Sequence, residues 1–187
     1  MKLGLAAVRG TLGLLLVGHG TQKLFGWFGG HGLEGTSGFF EKLGLRPGRR
    51  AAMAAGASET AGGTLLALGL LTPVAQALIT GTMVQAIRSV HWPKGIWATN
   101  GGWEYNALII ASTFAITDVG PGDWSLDRAL GLRLSGPTWA LAALAAGAIG
   151  PSLVVPPQPE ESEEPATPSE HDGHRSPSRF ERVAAAV

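Results

Sequence analysis

The chain has 187 residues, 45% of them apolar and only 15% charged, with fourteen Lys and Arg balanced by fourteen Asp and Glu. That balance leaves no basic excess to attract nucleic acid, and the length fits one domain. The absence of cysteine excludes disulfide-relay chemistry, thiolate-ligated haem, iron–sulfur clusters and cysteine nucleophiles as properties of this chain.

Many of the charges fall in residues 160–187 or in two short loops, and long stretches between them are almost uncharged. A bilayer core is about 30 Å thick, so a spanning helix needs ~20 mostly apolar residues. Five windows meet that need. They predict an all-α, polytopic membrane helix bundle with four core transmembrane helices and a fifth. The first window runs from Leu3 to Phe28, interrupted by Arg9, His19 and Lys23. A signal peptide is the rival reading of this segment. Against it, Arg9 breaks the apolar run, no A-x-A site follows, and Leu24-Phe25-Gly26-Trp27-Phe28 continues the pattern.

The loop from His31 to Arg50 is long enough to hold a short helix capped by Thr36 or Ser37. Phe39, Phe40 and Leu43 would then dip into the headgroup layer, with Glu41 and Lys42 facing water. The second window is Ala51 to Leu71, with Glu59 its one charge, and Thr72-Pro73 turns the chain into the third, Pro73 to His91. The fourth, Glu104 to Val119, is slightly short and ends at Gly120-Pro121-Gly122. The fifth, Gly136 to Val155, is Ala-rich and uncharged. From Pro156 onward the chain turns to Pro, Glu, Ser and His. Such a tail cannot bury enough apolar surface to offset its ordering entropy. The expected organisation is therefore a membrane domain over 1–135, an additional span over 136–155 and a disordered tail over 156–187.

Trp27, Trp92, Trp97 and Trp103 fall at span ends, where amphipathic rings settle. Lys42, Arg46, Arg49, Arg50 and Lys94 share the face of the first and third loops, against Lys2, Arg128 and Arg133 opposite. Basic short loops favour the cytoplasm, which puts the long first loop inside and the N-terminus outside.

Ionisable groups within a span cost about 2.5–3.5 kcal/mol and turn toward partners in the protein. On the second helix Ala51, Ala55, Glu59 and Gly63 form one stripe. Small residues on it admit a close neighbour, so Glu59 points into the bundle. On the first helix Arg9, Gly13, Leu16, Gly20 and Lys23 share a face, and Glu59 is expected to meet His19 or Arg9. Thr82, Gln85 and Arg88 stack on the third helix with His91 beyond, and Glu104 opens the fourth. Arg9, His19, Lys23, Glu59, Gln85, Arg88, His91 and Glu104 thus form an intramembrane polar network. It either fixes helix register or, through His19, Lys23, Arg88, His91 and Glu104, binds a quinone-like redox ligand. Proton or solute transport is the third use. His19 and His91 lack a haem-ligand spacing, the glycines of 26–38 have no phosphate-loop context, and His171 and His174 offer at most adventitious metal binding. No catalytic triad, paired-carboxylate signature or metal motif stands out.

Gly18-His19-Gly20 followed by Gln22-Lys23-Leu24-Phe25-Gly26-Trp27-Phe28-Gly29-Gly30 resembles the first-helix signature of the DoxX family. The likeness continues through Gly35-Thr36, Phe39-Phe40, Leu43-Gly44-Leu45 and Pro47, and resumes at Glu59, Gly62-Gly63 and Leu68-Gly69-Leu70-Leu71-Thr72-Pro73. Gly101-Gly102-Trp103-Glu104-Tyr105 and Gly120-Pro121-Gly122 with Ser125-Leu126-Asp127 extend it to about residue 130. The resemblance implies a four-helix, multi-pass protein of the plasma membrane, akin to the small subunit of a membrane quinone oxidoreductase. It implies links with redox complexes and with sulfur or oxidative-stress chemistry, and carries over no catalytic residue. The first expectation is a membrane subunit or anchor of a redox complex without its own catalytic centre. Its environment would be the lipid bilayer, its partner a redox protein or a second copy, and a quinone its one candidate cofactor. A quinone-binding oxidoreductase subunit and a transporter are the alternatives.

Overall fold

A computed structural model describes residues 3–154. The tail assigned to 156–187, with His171 and His174, and Lys2 at the other terminus lie outside the described residues. Within them all regular structure is helical. Helix α1 spans Leu3–Phe25, α2 Gly32–Lys42, α3 Gly48–Leu68, α4 Thr72–Ala86, α5 Glu104–Val119, α6 Leu126–Ala129 and α7 Pro137–Val154. A wide π-type turn over Ile87–His91 prolongs α4 before the loop that leads to α5.

Glycine and proline punctuate the helices as their backbone preferences require. Helix α1 stops at Phe25 because Gly26 turns left-handed at φ 74°, three residues before the end of the apolar window. Helix α3 ends in a Schellman cap: Gly69, at φ 63°, donates its N–H to Leu66 O and Leu70 donates to Leu65 O. Leu71, at φ 47°, follows in the same left-handed region, which is unusual for a side chain with a Cβ. Pro73 then sits in the first turn of α4, where its missing N–H costs nothing. Helix α2 starts at Gly32, not at a Thr36 or Ser37 cap. Thr36 is instead buried inside the helix and donates to Lys23 O at 3.4 Å.

Helices α1 and α3 run antiparallel with their backbones in contact. A Cβ added at Gly13 would lie 2.5 Å from Gly63 O, and one at Gly20 would lie 2.6 Å from Gly56 O. The small-residue face read on α1 is the buried one, with Arg9, Gly13, Leu16 and Gly20 all inaccessible. On α3 the contact uses Gly63 of the expected stripe together with Gly56, while Ala55 faces a cleft. Helix α4 packs on α3, α5 and α7, so α7 is joined to the same bundle. Its Gly147 lies against Thr80 and the Ala77 carbonyl.

Burial is inverted relative to a water-soluble bundle. Leu16, Leu66, Ala75, Ile79, Met83 and Ile116 form a modest apolar cluster. Yet Thr72, Gln76, Thr80, Thr113 and Thr117 are wholly buried, whereas Leu14, Leu15, Leu108, Leu141 and Ile149 are more than half exposed. Among the described residues one helix, α1, is long and apolar enough by itself to cross a bilayer. Helix α3 carries Arg49, Arg50 and Glu59, and α4 and α5 have 15 and 16 residues.

Gly20→Ala should therefore lower the thermal unfolding midpoint sharply, because its methyl meets backbone that cannot retreat. Gly18→Ala, with nothing within 4 Å of its Cβ, should raise the midpoint through a helix propensity gain of up to ~1 kcal/mol. Equal shifts in the two variants would contradict the α1–α3 contact.

Candidate functional site

The polar residues separate into two groups at opposite ends of α1. Arg9 and Lys23 are 14 positions apart on α1, which places them roughly 21 Å apart along the helix axis. The glycine contacts align residue 13 with 63 and residue 20 with 56, so Arg9 faces the C-terminus of α3.

At that end Arg9 is buried and spends its guanidinium on carbonyls. Its Nε donates to Pro121 O at 3.1 Å, its Nη1 to Leu66 O at 3.2 Å and to Ala67 O, and its Nη2 to Trp124 O. Leu66 and Ala67 belong to the last turn of α3, whose carbonyls keep acceptor capacity even where, as at Leu66, the cap uses one lone pair, and whose dipole favours a cation. Asp127 serves the opposite polarity. Its carboxylate accepts from Leu71 N–H at 2.8 Å, Thr72 N–H at 3.2 Å and Thr72 Oγ1 at 2.7 Å. These are the free donors at the N-terminus of α4, where a negative charge is favoured. Asp127 N–H also donates to Gly69 O at 2.9 Å. Gly69 admits no side chain, since a Cβ would lie 2.6 Å from Ser125 Cβ. The α3–α4 turn is thus clamped by Arg9, well before it in the chain, and by Asp127, well after it.

Glu59 is buried and pairs with Lys23, Nζ to Oε2 at 2.5 Å. This corrects the expected contact with His19 or Arg9. Helical side chains lean toward the N-terminus of their own helix. In an antiparallel pair, Lys23 therefore leans down α1 as Glu59 leans up α3, and the two heads meet between their Cα levels. Lys23 Nζ also donates to His19 O at 3.5 Å.

Beside this pair opens a cleft of ≈ 850 Å³ walled by α1, α3, α4, α5 and α7, with α2 at one end. His19, Lys23, Glu59, Gln85 and His91 line it. Arg9 belongs to the clamp at the far end of α1. Arg88 and Glu104 are also absent from the lining. The wide turn resets the angular register of α4, so Arg88 swings away to Ser152 Oγ on α7, at 3.1 Å. Glu104 opens α5 and donates its N–H to Ile96 O. Phe39, Phe40 and Leu43 border the cleft and do not simply face the headgroup layer.

The cleft is graded. Lys23, Gln85, Ser89 and His91 lie toward the α2 end, and Ala77, Leu78, Val74 and Pro73 continue along α4 as an apolar wall. Gln85 Nε2 donates to Ser89 Oγ at 2.7 Å, His91 Nδ1 lies 2.7 Å from Gly101 O, and Asn106 Nδ2 donates to Met83 Sδ at 3.4 Å. Asn106 and Asp127 escaped the sequence reading. The only trace of Asp127 was the Ser125-Leu126-Asp127 likeness, in which Ser125 now caps α6. Gln76 Oε1 and Thr80 Oγ1 lack a hydrogen-bond partner among the described residues. No group of three or more His, Asp or Glu among them is placed to hold a metal ion.

The DoxX family model matches residues 4–92. These residues are a DoxX domain. The match covers α1 to α4 and the wide turn, and stops before Gly101–Tyr105 and Gly120–Asp127, where the resemblance had also been drawn. The DoxX domain places the chain in the lipid bilayer as a membrane protein. No curated protein and no solved structure matches the chain.

Asp127→Ala should cost the protein about 2–4 kcal/mol, since it strips an N-cap and leaves buried donors unpaired. Arg128→Ala, at the exposed neighbouring position, should be nearly neutral in the same thermal unfolding assay. A neutral Asp127→Ala would remove the clamp from the account of stability.

Proposed function

We propose that the chain is a multi-pass protein of the plasma membrane whose cleft holds an amphipathic redox molecule of the quinone class, and that it serves as a ligand-holding subunit of a redox complex. The graded cleft carries this reading. Its volume falls in the range of small-molecule sites, which are mostly apolar with a few fixed polar groups. A flat polar head would sit near Lys23, Gln85 and His91, and an isoprenoid tail would lie along Val74, Ala77 and Leu78. The bound molecule would supply the electron chemistry. The residues of this chain would orient its head and shield its tail from lipid.

The multi-pass reading rests on the inverted burial. Exposed Leu on α1, α5 and α7, with Thr and Gln wholly inside, suits a lipid surround and would be costly in water. It makes α1, α3, α4 with its wide turn, and α5 the four core spans, with α7 as the fifth. Trp27, Phe28, Trp92 and Trp97, all well exposed, gather at the α2 end, as aromatic side chains do at a membrane interface. Exposed Lys42, Arg46, Arg49, Arg50 and Lys94 lie at the same end, against Arg128 and Arg133 at the other. The α2 end is accordingly assigned to the cytoplasm.

Because the chain has no cysteine, single introduced cysteines report sidedness without background. Glu34→Cys should react with an impermeant maleimide only from the cytoplasmic side and Arg133→Cys only from outside. Labelling of both from one side would contradict the topology. For the ligand, native mass spectrometry of the gently extracted protein should show a bound quinone mass. Ala54→Phe, which places a ring in the cleft, should abolish that mass at unchanged protein abundance. A second polypeptide with no small ligand would favour the plain anchor role, and a bare chain would overturn the proposal.

A further inference from the structure

We infer that the head of the cleft is built from fixed hydrogen-bond acceptors, so that it selects the hydroxyl-bearing hydroquinone over the quinone. This inference rests on the cleft being a quinone-class site and concerns which form that site holds.

His91 ends the wide turn of Ile87–His91. Such turns are rare and are frequent at functional sites. Its Nδ1 lies 2.7 Å from Gly101 O. A carbonyl only accepts, so Nδ1 carries a proton and donates, which in the neutral tautomer leaves the Nε2 lone pair as an acceptor. The carbonyl itself is held by the loop. Gly101 N–H donates to Ala98 O at 2.8 Å, Gly102 N–H to Trp97 O at 2.9 Å and Glu104 N–H to Ile96 O at 2.9 Å. A Cβ at Gly102 would lie 2.4 Å from Gly95 O, so the loop is closely packed at this point. The tautomer is therefore imposed by the fold before any ligand arrives.

Asn106 is oriented by the same logic. A thioether sulfur has no proton to give, so the contact with Met83 Sδ requires the amide nitrogen there and turns Oδ1 the other way. Across the cleft, Glu59 is an acceptor, and Lys23 gives two of its three N–H donors to Glu59 Oε2 and His19 O. The hydroxyls of Ser58, Ser89 and Tyr105 on the lining can donate or accept and so do not discriminate, whereas the oriented groups, His91 Nε2, Asn106 Oδ1 and Glu59 Oε1, are left to receive protons. A hydroquinone offers two O–H donors to such a surface. A quinone offers only carbonyls, which leave those acceptors desolvated and unpaired.

Three probes separate the cases: a short-chain benzohydroquinone, its quinone and its dimethyl ether. Each is bound under argon to the full chain in nanodiscs and followed by tryptophan fluorescence. The hydroquinone should bind about fivefold tighter than the ether or the quinone, the worth of one net hydrogen bond. The same preference would raise the potential of the bound two-electron couple by about 20 mV. His91→Phe should erase the difference while the ether still binds. His91→Asn, which can donate to Gly101 O and still present an acceptor, should restore part of it. Should His91→Phe fail to fold, Met83→Leu tests the same idea, since freeing the Asn106 amide should narrow the preference. Equal binding of all three probes by the native chain would overturn this inference and leave the cleft as a quinone site. Binding of none would overturn the site itself.

Discussion

The backbone contact between α1 and α3 sets the register on which the polar interactions depend. Four glycines bring the two helices so close that neither can slide past the other without a clash. With Gly13 set against Gly63 and Gly20 against Gly56, every charged residue of α1 acquires a fixed opposite number. Arg9 arrives at the open carbonyls ending α3, and Lys23 arrives above Glu59. In a lipid surround there is little hydrophobic force to press helices together, so close packing and interhelical polar contacts must supply the association. The bundle uses both, in alternation along one seam.

The two ionic groups on that seam have different characters. Arg9 is saturated by backbone carbonyls, and Asp127 by backbone N–H groups and one hydroxyl. Neither has a polar atom directed at the cleft. Lys23 and Glu59 form an open pair, with Lys23 partly accessible and both residues in the cleft wall. The end of the molecule without the cleft is therefore rigidly tied, and the end with the cleft keeps polar groups within reach of a guest. The α2 segment and the loop from Trp92 to Trp103 lie at the second end.

Much of this was legible from periodicity. Helix α5 coincides with its apolar window, α7 differs from its window by one residue at each end, and the buried face of α1 follows from its glycine spacing. What escaped depended on direction and distance. The spacing placed Lys23 and Glu59 on facing stripes, but their pairing follows from the lean of side chains in an antiparallel pair. Arg88 was misplaced because a π-type turn leaves no trace in a three- and four-residue count. Asp127 was missed because its partners, Leu71 and Thr72, are distant in sequence and are mainly backbone groups, which carry no sequence signal at all. The polar network read as one cluster is in fact two, split by the length of a helix.

The origin of the clamp also bears on biosynthesis. Asp127 lies some 55 residues beyond the turn it caps, and Arg9 depends on Pro121 and Trp124, which are made equally late. While the ribosome is still adding α5, the α3–α4 hairpin has a left-handed Leu71 and unpaired amide groups at its tip, with only the glycine seam to hold it. A nascent chain ending near residue 92, the limit of the DoxX match, contains α1 to α4 without α5 and α7, which complete the cleft wall, and without the residues that close the far end. Closure of the α3–α4 turn thus waits on the emergence of one carboxylate. Until then α1 to α4 lack that latch, and α7, the last wall of the cleft, is still to follow.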